Sequence, residues 1–188
     1  MKVYFTAALR GRKLFLKNYE TIVKYLRELG YEVNTCDVLD DGIEDRVARQ
    51  TEEDRIEAHC RLSRLLRNAD VVVVEVSVPS TSLGYEITEA LFLEKPVVVL
   101  YARGGNHPTL LEGRKDEKLQ MMEYDLGGLK KLLEQAMIEA EKMLDVRFNF
   151  FVNQKIRDYL ERVAKERRVP KSVFIRGLIE REMKKEER

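Results

Sequence analysis

The sequence predicts an α/β protein, a parallel β-sheet with helices on both faces, followed by a small module of different character. Three observations carry that expectation. Short β-prone apolar runs alternate with amphipathic helical stretches from Lys2 onward, the order of βαβ units. The run Val71–Val74 is continuously apolar rather than alternating, as in a strand covered on both faces. At Asp145 the pattern changes to a basic strand–helix–helix stretch. These place an α/β domain at 1–144 and a second module at 145–188.

Taken in order, Lys2–Ala7 (KVYFTA) is a first buried strand running into the basic turn Leu9–Lys13. Apolar residues then recur at Phe15, Tyr19, Ile22, Val23, Leu26 and Leu29, the stripe of an amphipathic helix. Gly30 is placed to end it, and Tyr31–Thr35 forms the second strand. Residues 37–53 are polar, carry Asp40-Asp41-Gly42 and show weak periodicity. They read as a mobile loop with a short helix, of a length often used as a lid. Asp54–Arg67 is a helix with Ile56, Leu62, Leu65 and Leu66 on one face, leading into the central Val run. A Pro/Ser/Thr/Gly loop follows, then a helix carrying Glu86 in its first turn and broken at Glu94-Lys95-Pro96. Val97–Tyr101 is the next strand, Ala102–Asp116 a loop, Leu119–Tyr124 an edge strand and Leu129–Leu144 a helix.

Composition excludes several classes. Apolar residues make up 44% of the 188 and charged residues 36%. No apolar run approaches the length of a membrane span, and no secretory leader pattern is present. Cys36 and Cys60 lack CxxC spacing, which argues against a disulfide framework or a zinc site. Reduced thiols in a cytoplasmic protein are the expectation. The formal net charge of +1 conceals an asymmetry: residues 147–188 hold 13 Lys/Arg against 7 Asp/Glu. A basic terminus favours an anionic partner at that end.

The chemistry concentrates between Asn68 and Ala90. In parallel sheets ligands sit beyond the carboxyl ends of the strands, where the Ser80–Glu86 loop belongs. Ser80, Thr81 and Ser82 put hydroxyls beside helix N–H groups, a cradle for phosphate. Glu86, read as following a tight turn at Gly84, can face a ligand in that loop, with the helix terminus helping to keep it ionised. A first-turn acid that merely favours the helix terminus has the same sequence signature. Asp70 is either a second site acid or an ordinary strand-edge residue.

Tyr4-Phe5-Thr6-Ala7-Ala8-Leu9-Arg10-Gly11, Ala69-Asp70 through Val76, and Pro79-Ser80 through Gly84-Tyr85-Glu86 together resemble the nucleoside 2-deoxyribosyltransferase superfamily. The likeness spans roughly residues 1–140 and is greatest to its 2′-deoxynucleoside 5′-monophosphate N-glycosidase branch. It implies a flavodoxin-like or Rossmann-like fold, dimers with composite active sites, and hydrolysis of the N-glycosidic bond to free base and 2-deoxyribose 5-phosphate. It also implies Glu86 as nucleophile at C1′, Asp70 as the acid that orients the sugar and assists the leaving base, and Tyr4 as the group that positions Glu86. Arg10, Gly11, Ser80, Ser82 and Gly84 would bind substrate and its phosphate. Thr109 stands where the branch carries a phosphate-reaching serine. No metal or organic cofactor is implied. The rival readings are base exchange between nucleosides and a regulator that senses a nucleotide without turning it over.

Residues 147–184 resemble a ribbon-helix-helix unit of the Arc/CopG type, with a strand at Arg147–Val152 and helices at Gln154–Arg168 and Val173–Met183. In that reading two copies pair their strands, and Arg147, Asn149 and Phe151 face DNA. Ser172 is the candidate N-cap of the second helix. A module of about 40 residues buries too little core to stand alone, so a homodimer or higher homo-oligomer is expected whether or not DNA is bound.

Overall fold

The computed structural model describes residues 1–144, 150–167 and 169–186. Its contacts divide the chain into Met1–Asp145 and Val146–Arg188, each described here by itself.

The first unit is built on five parallel strands: β1 (Lys2–Ala7), β2 (Glu32–Asn34), β3 (Val71–Glu75), β4 (Val97–Ala102) and β5 (Leu119–Tyr124). Their spatial order is β2-β1-β3-β4-β5. The chain moves outward from β1 to β2 and then returns across β1 to β3, which creates a topological switch point between β1 and β3. Helices α1 (Arg12–Glu28), α2 (Ile43–Ala48), α3 (Glu52–Asn68), α4 (Thr81–Phe92), α5 (Thr109–Glu112) and α6 (Leu129–Lys142) complete the unit.

Alternation along the strands assigns the two layers. Val3, Phe5, Val71, Val73, Val98 and Leu100 face Tyr19, Ile22 and Leu26 of α1 and Leu133 and Met137 of α6. Tyr4, Val72, Val74, Val97 and Val99 face Leu66 of α3 and Ile87, Ala90 and Leu91 of α4. Val71–Val74 are fully buried, so this strand has no polar face to spend, as the unbroken Val run requires.

Helix α1 ends where Gly30 adopts φ +90°. The Tyr31 amide donates to the Leu26 carbonyl at 3.2 Å and the Gly30 amide to Arg27 at 3.0 Å, the paired bonds that finish a helix through a left-handed residue. Helix α3 begins two residues earlier than its apolar stripe suggests. The Thr51 hydroxyl accepts from the Asp54 amide, and the Asp54 side chain accepts from the Thr51 amide, so a capping box starts it. Its first half is exposed, Ile56 included.

The 37–53 segment is held rather than loose. Arg12, only 7% exposed, donates to the Val38 carbonyl at 2.5 Å and pairs with Glu44 at 3.0 Å. Arg61 grips Asp37 with two bonds of 2.5 and 2.7 Å.

In the second unit, α7 (Gln154–Arg167) packs on α8 (Lys171–Glu186) through Leu160, Val163 and Phe174. Of the expected strand, 147–149 lie outside the described residues, and so do Arg147 and Asn149. Phe150–Val152 form no strand, and Phe151 is fully exposed. A ribbon strand needs a partner strand to bond, and the described residues of this unit contain none. Ser172 does not cap α8, which starts at Lys171 with the Phe174 amide donating to the Pro170 carbonyl. Among the described residues no helix is long and apolar enough to cross a membrane.

Candidate active site

At the switch point the loops after β1 and β3 lie side by side, because Ala7 pairs with Glu75 at the ends of their strands. Helix α4 returns from that edge across the sheet face that carries Tyr4 and Thr6. Ser80 is its extended N-cap residue, and Glu86 lies in the second turn rather than the first. The earlier start corrects two expectations. Gly84 is a helical residue and makes no turn, and the helix terminus is not what dominates the Glu86 environment.

Burial dominates it. Glu86 is 7% exposed, and desolvation pushes its carboxyl above the ordinary range against the opposing pull of two hydroxyls. The Tyr4 hydroxyl donates to Glu86 Oε2 at 2.8 Å, and the Thr6 hydroxyl bonds the same carboxyl group. Tyr4 is itself driven far upward, first by burial and then by the Glu86 charge, so it stays a donor. Cys36 closes the same corner beside Tyr4, and burial raises its thiol. Cys36 and Asp37 both have positive φ, at 42° and 66°. Two consecutive non-glycine residues in that region are costly, and such strain gathers at sites where other contacts hold it. Here Arg61 on Asp37 and Arg12 on Val38 do so.

The remaining expectations divide. Arg10 and Gly11 occupy the turn after β1. The Arg10 guanidinium is exposed and pairs with none of the described residues. A side chain at Gly11 would collide with the Tyr19 hydroxyl and Val78, so only glycine permits that close approach. The Ser80 side chain makes no cap bond, which leaves the first-turn amides of α4 without a side-chain acceptor. Ser82 is exposed, and a methyl on Gly84 would meet nothing within 4 Å. Thr109 starts α5 in the loop after β4, exposed.

Asp70 is not brought to this site. It precedes β3 at the amino edge of the sheet, where its carboxylate accepts from the Lys2 amide at 2.7 Å. A residue that opens a strand cannot reach the end at which that strand finishes, so Asp70 is a strand-edge acid.

Thr6 was missed, although it lies two residues after Tyr4 on the same face of the strand. Arg12, Cys36 and the Asp37–Arg61 pair carry no local signal, because their partners are remote in sequence.

A 133-residue stretch covering 70% of this chain is 35% identical to 2′-deoxynucleoside 5′-phosphate N-hydrolase 1 of Methanosarcina barkeri, and spans 82% of that protein. The 5-hydroxymethyl-dUMP N-hydrolase of Rattus norvegicus is 32% identical over 156 residues, 81% of this chain and 88% of its own. Two solved structures share the fold. A CMP N-glycosidase from Clostridium botulinum has a TM-score of 0.50 and 18% identity, covering 70% of this chain and 98% of its own. A 2-deoxyribosyltransferase from Bacillus psychrosaccharolyticus has a TM-score of 0.50 and 17% identity, covering 69% and 90%. No profile of a known protein family matches the chain. With 35% identity over an alignment that spans 82% of the Methanosarcina barkeri relative, the chain belongs to the 2′-deoxynucleoside 5′-phosphate N-hydrolase family.

Proposed function

We propose that the protein hydrolyses the N-glycosidic bond of 2′-deoxynucleoside 5′-monophosphates, releasing the free base and 2-deoxyribose 5-phosphate. The observation that carries this reading is the buried Glu86 carboxyl held by the Tyr4 hydroxyl at the switch point. The substrate class follows the names of the relatives.

The carboxylate of Glu86 attacks C1′ as the glycosidic bond breaks, and the bonding pair leaves with the base, which takes up a proton from solvent. A sugar ester on Glu86 remains; water adds its hydroxyl to C1′, releasing a proton to solvent and returning the carboxylate. The logic is that of retaining glycosidases, where a carboxylate meets an oxocarbenium-like centre and divides one hard step into two. Tyr4 and Thr6 hold the attacking oxygens in place. Arg10, Gly11, Ser80 and Ser82 with the free amides of α4 grip the 5′-phosphate, and Gly84 leaves room for the sugar. Thr109 belongs to the same edge.

The second unit is an oligomerisation module. Ile156 and Tyr159 are 46% and 47% exposed on α7, and Leu178, Ile179 and Met183 are similarly open on α8. Apolar surface on so small a unit calls for a second copy. Its excess of basic residues supports contact with DNA through that assembled face.

The test is a screen of deoxy- and ribonucleoside monophosphates for base release. Hydrolysis confined to deoxynucleotides supports the proposal. Base exchange between nucleosides with indifference to the phosphate identifies a transferase instead.

A further inference from the structure

Glu75 ends β3 on the sheet face opposite Glu86 and is completely buried. It lies at the centre of a polar network none of whose members touches Glu86. Its Oε1 accepts from the Ser77 hydroxyl, from the Ser77 amide at 3.3 Å and from the Tyr124 hydroxyl at 3.1 Å. The Tyr19 hydroxyl lies beside the same carboxyl. Each hydroxyl belongs to a different part of the rim. Ser77 lies in the loop after β3; its hydroxyl accepts from the Ala102 amide at 2.7 Å, and its carbonyl from the Asn106 amide at 3.1 Å. That pair ties down the loop after β4. The Tyr19 hydroxyl abuts Gly11 and donates to the Ala8 carbonyl at 3.4 Å, bracing the turn after β1. Asn18 holds Tyr124 at 3.0 Å.

We infer that Glu75 is the positioning residue of the 5′-phosphate subsite, setting the spacing of the three loops that carry Arg10, Ser80 and Thr109 without itself touching substrate. The inference rests on the proposed reading of those loops as the phosphate grip. One carboxyl oxygen gathers the Ser77 hydroxyl from the loop after β3 and the Tyr124 hydroxyl from the end of β5, with the Tyr19 hydroxyl of α1 beside it. Removing it frees the Ser77 and Tyr124 hydroxyls together and so loosens the loop after β3, to which Ser77 ties the loop after β4, while the sheet beneath is held by its own ladder bonds. Glu75 Oε2 has no partner among the described residues and is sealed from solvent. Burial raises this carboxyl, which favours the neutral acid, so an amide of the same shape preserves the acceptor.

The experiment is steady-state kinetics of full-length E75Q and E75L on a deoxynucleoside monophosphate and on the corresponding phosphate-free deoxynucleoside. E75Q is expected to keep KM for the nucleotide within about threefold. E75L is expected to raise it by about tenfold or more with kcat little changed, and to leave KM for the nucleoside unmoved. Equal changes in both substrates, or a loss confined to kcat, overturn the inference. Should E75L fail to fold, S77A and Y124F each delete one hydroxyl; each must raise the nucleotide KM selectively, and no selective change overturns the inference. A wild-type enzyme indifferent to the phosphate removes the underlying reading and the inference together. A phosphate-dependent wild type with indifferent variants removes the inference alone.

Discussion

The Tyr4 hydroxyl lies 2.8 Å from Glu86 Oε2, a bond between residues 82 positions apart that joins the first strand to the fourth helix. It opposes the desolvation that pushes the Glu86 carboxyl up. Removing it in Tyr4→Phe leaves a buried acid with one fewer donor. A hydrogen bond to a charged group contributes about 1.5–3 kcal/mol, so kcat/KM is expected to fall by about 10- to 100-fold. The far-ultraviolet circular dichroism should be unchanged.

The same carboxyl sets the pH dependence. Attack needs the ionised form, and burial raises the Glu86 pKa, so kcat/KM should climb with pH through a midpoint above the ordinary glutamate value. Stability runs the other way. The native state holds a proton that the unfolded chain has lost, so Glu86 contributes most at acid pH, and that contribution fades as pH rises through the raised pKa. Glu86→Gln should therefore flatten both profiles, and Tyr4→Phe should move the activity limb to still higher pH. An activity limb at the ordinary glutamate pKa contradicts this.

Gly84 separates stability from function. It sits inside α4 with open space where a methyl would go. Replacing a helical glycine by alanine gains about 1 kcal/mol, so Gly84→Ala should raise the melting temperature. If the open space receives the sugar, the same change should raise KM. A variant that is both more stable and fully active shows that substrate does not approach there.

Much of this architecture is written locally. The run Val71–Val74 shows no alternation because both faces are covered, and Gly30 marks the end of α1 by its left-handed backbone. The helix bounds slipped where a cap lies outside the apolar stripe, as at Thr51 and Ser80. Asp70 and Glu86 are close in sequence yet are not brought together, since a whole strand separates them. Glu75 reads as the last residue of an apolar strand, because the groups that give it meaning are the hydroxyls of Tyr19, Ser77 and Tyr124. Arg12 and Val38 meet only through the tertiary fold, so the 37–53 segment looked free in sequence.

That latch is testable. Arg12→Ala removes a buried donor from the Val38 carbonyl and a partner from Glu44. The expected cost is about 1–3 kcal/mol, read by urea unfolding. Trypsin should cut faster at Arg46 and Arg49 in the native variant. Unchanged cleavage means the segment is held by other contacts.

Deleting residues 147–188 tests the second unit. Sedimentation should show a smaller assembly than the full-length protein, with the α/β unit still folded. Salt-dependent binding of a DNA duplex should vanish in the same truncation. An unchanged oligomer places the interface in the first unit.

The most direct measurement compares base release from deoxynucleoside monophosphates by the wild-type protein and by Glu86→Gln, with free base and 2-deoxyribose 5-phosphate quantified together. Equimolar products from the wild type, and a rate lower by about a thousandfold or more in a folded Glu86→Gln, are expected. A Glu86→Gln protein that retains the wild-type rate contradicts the assignment of Glu86 as the nucleophile.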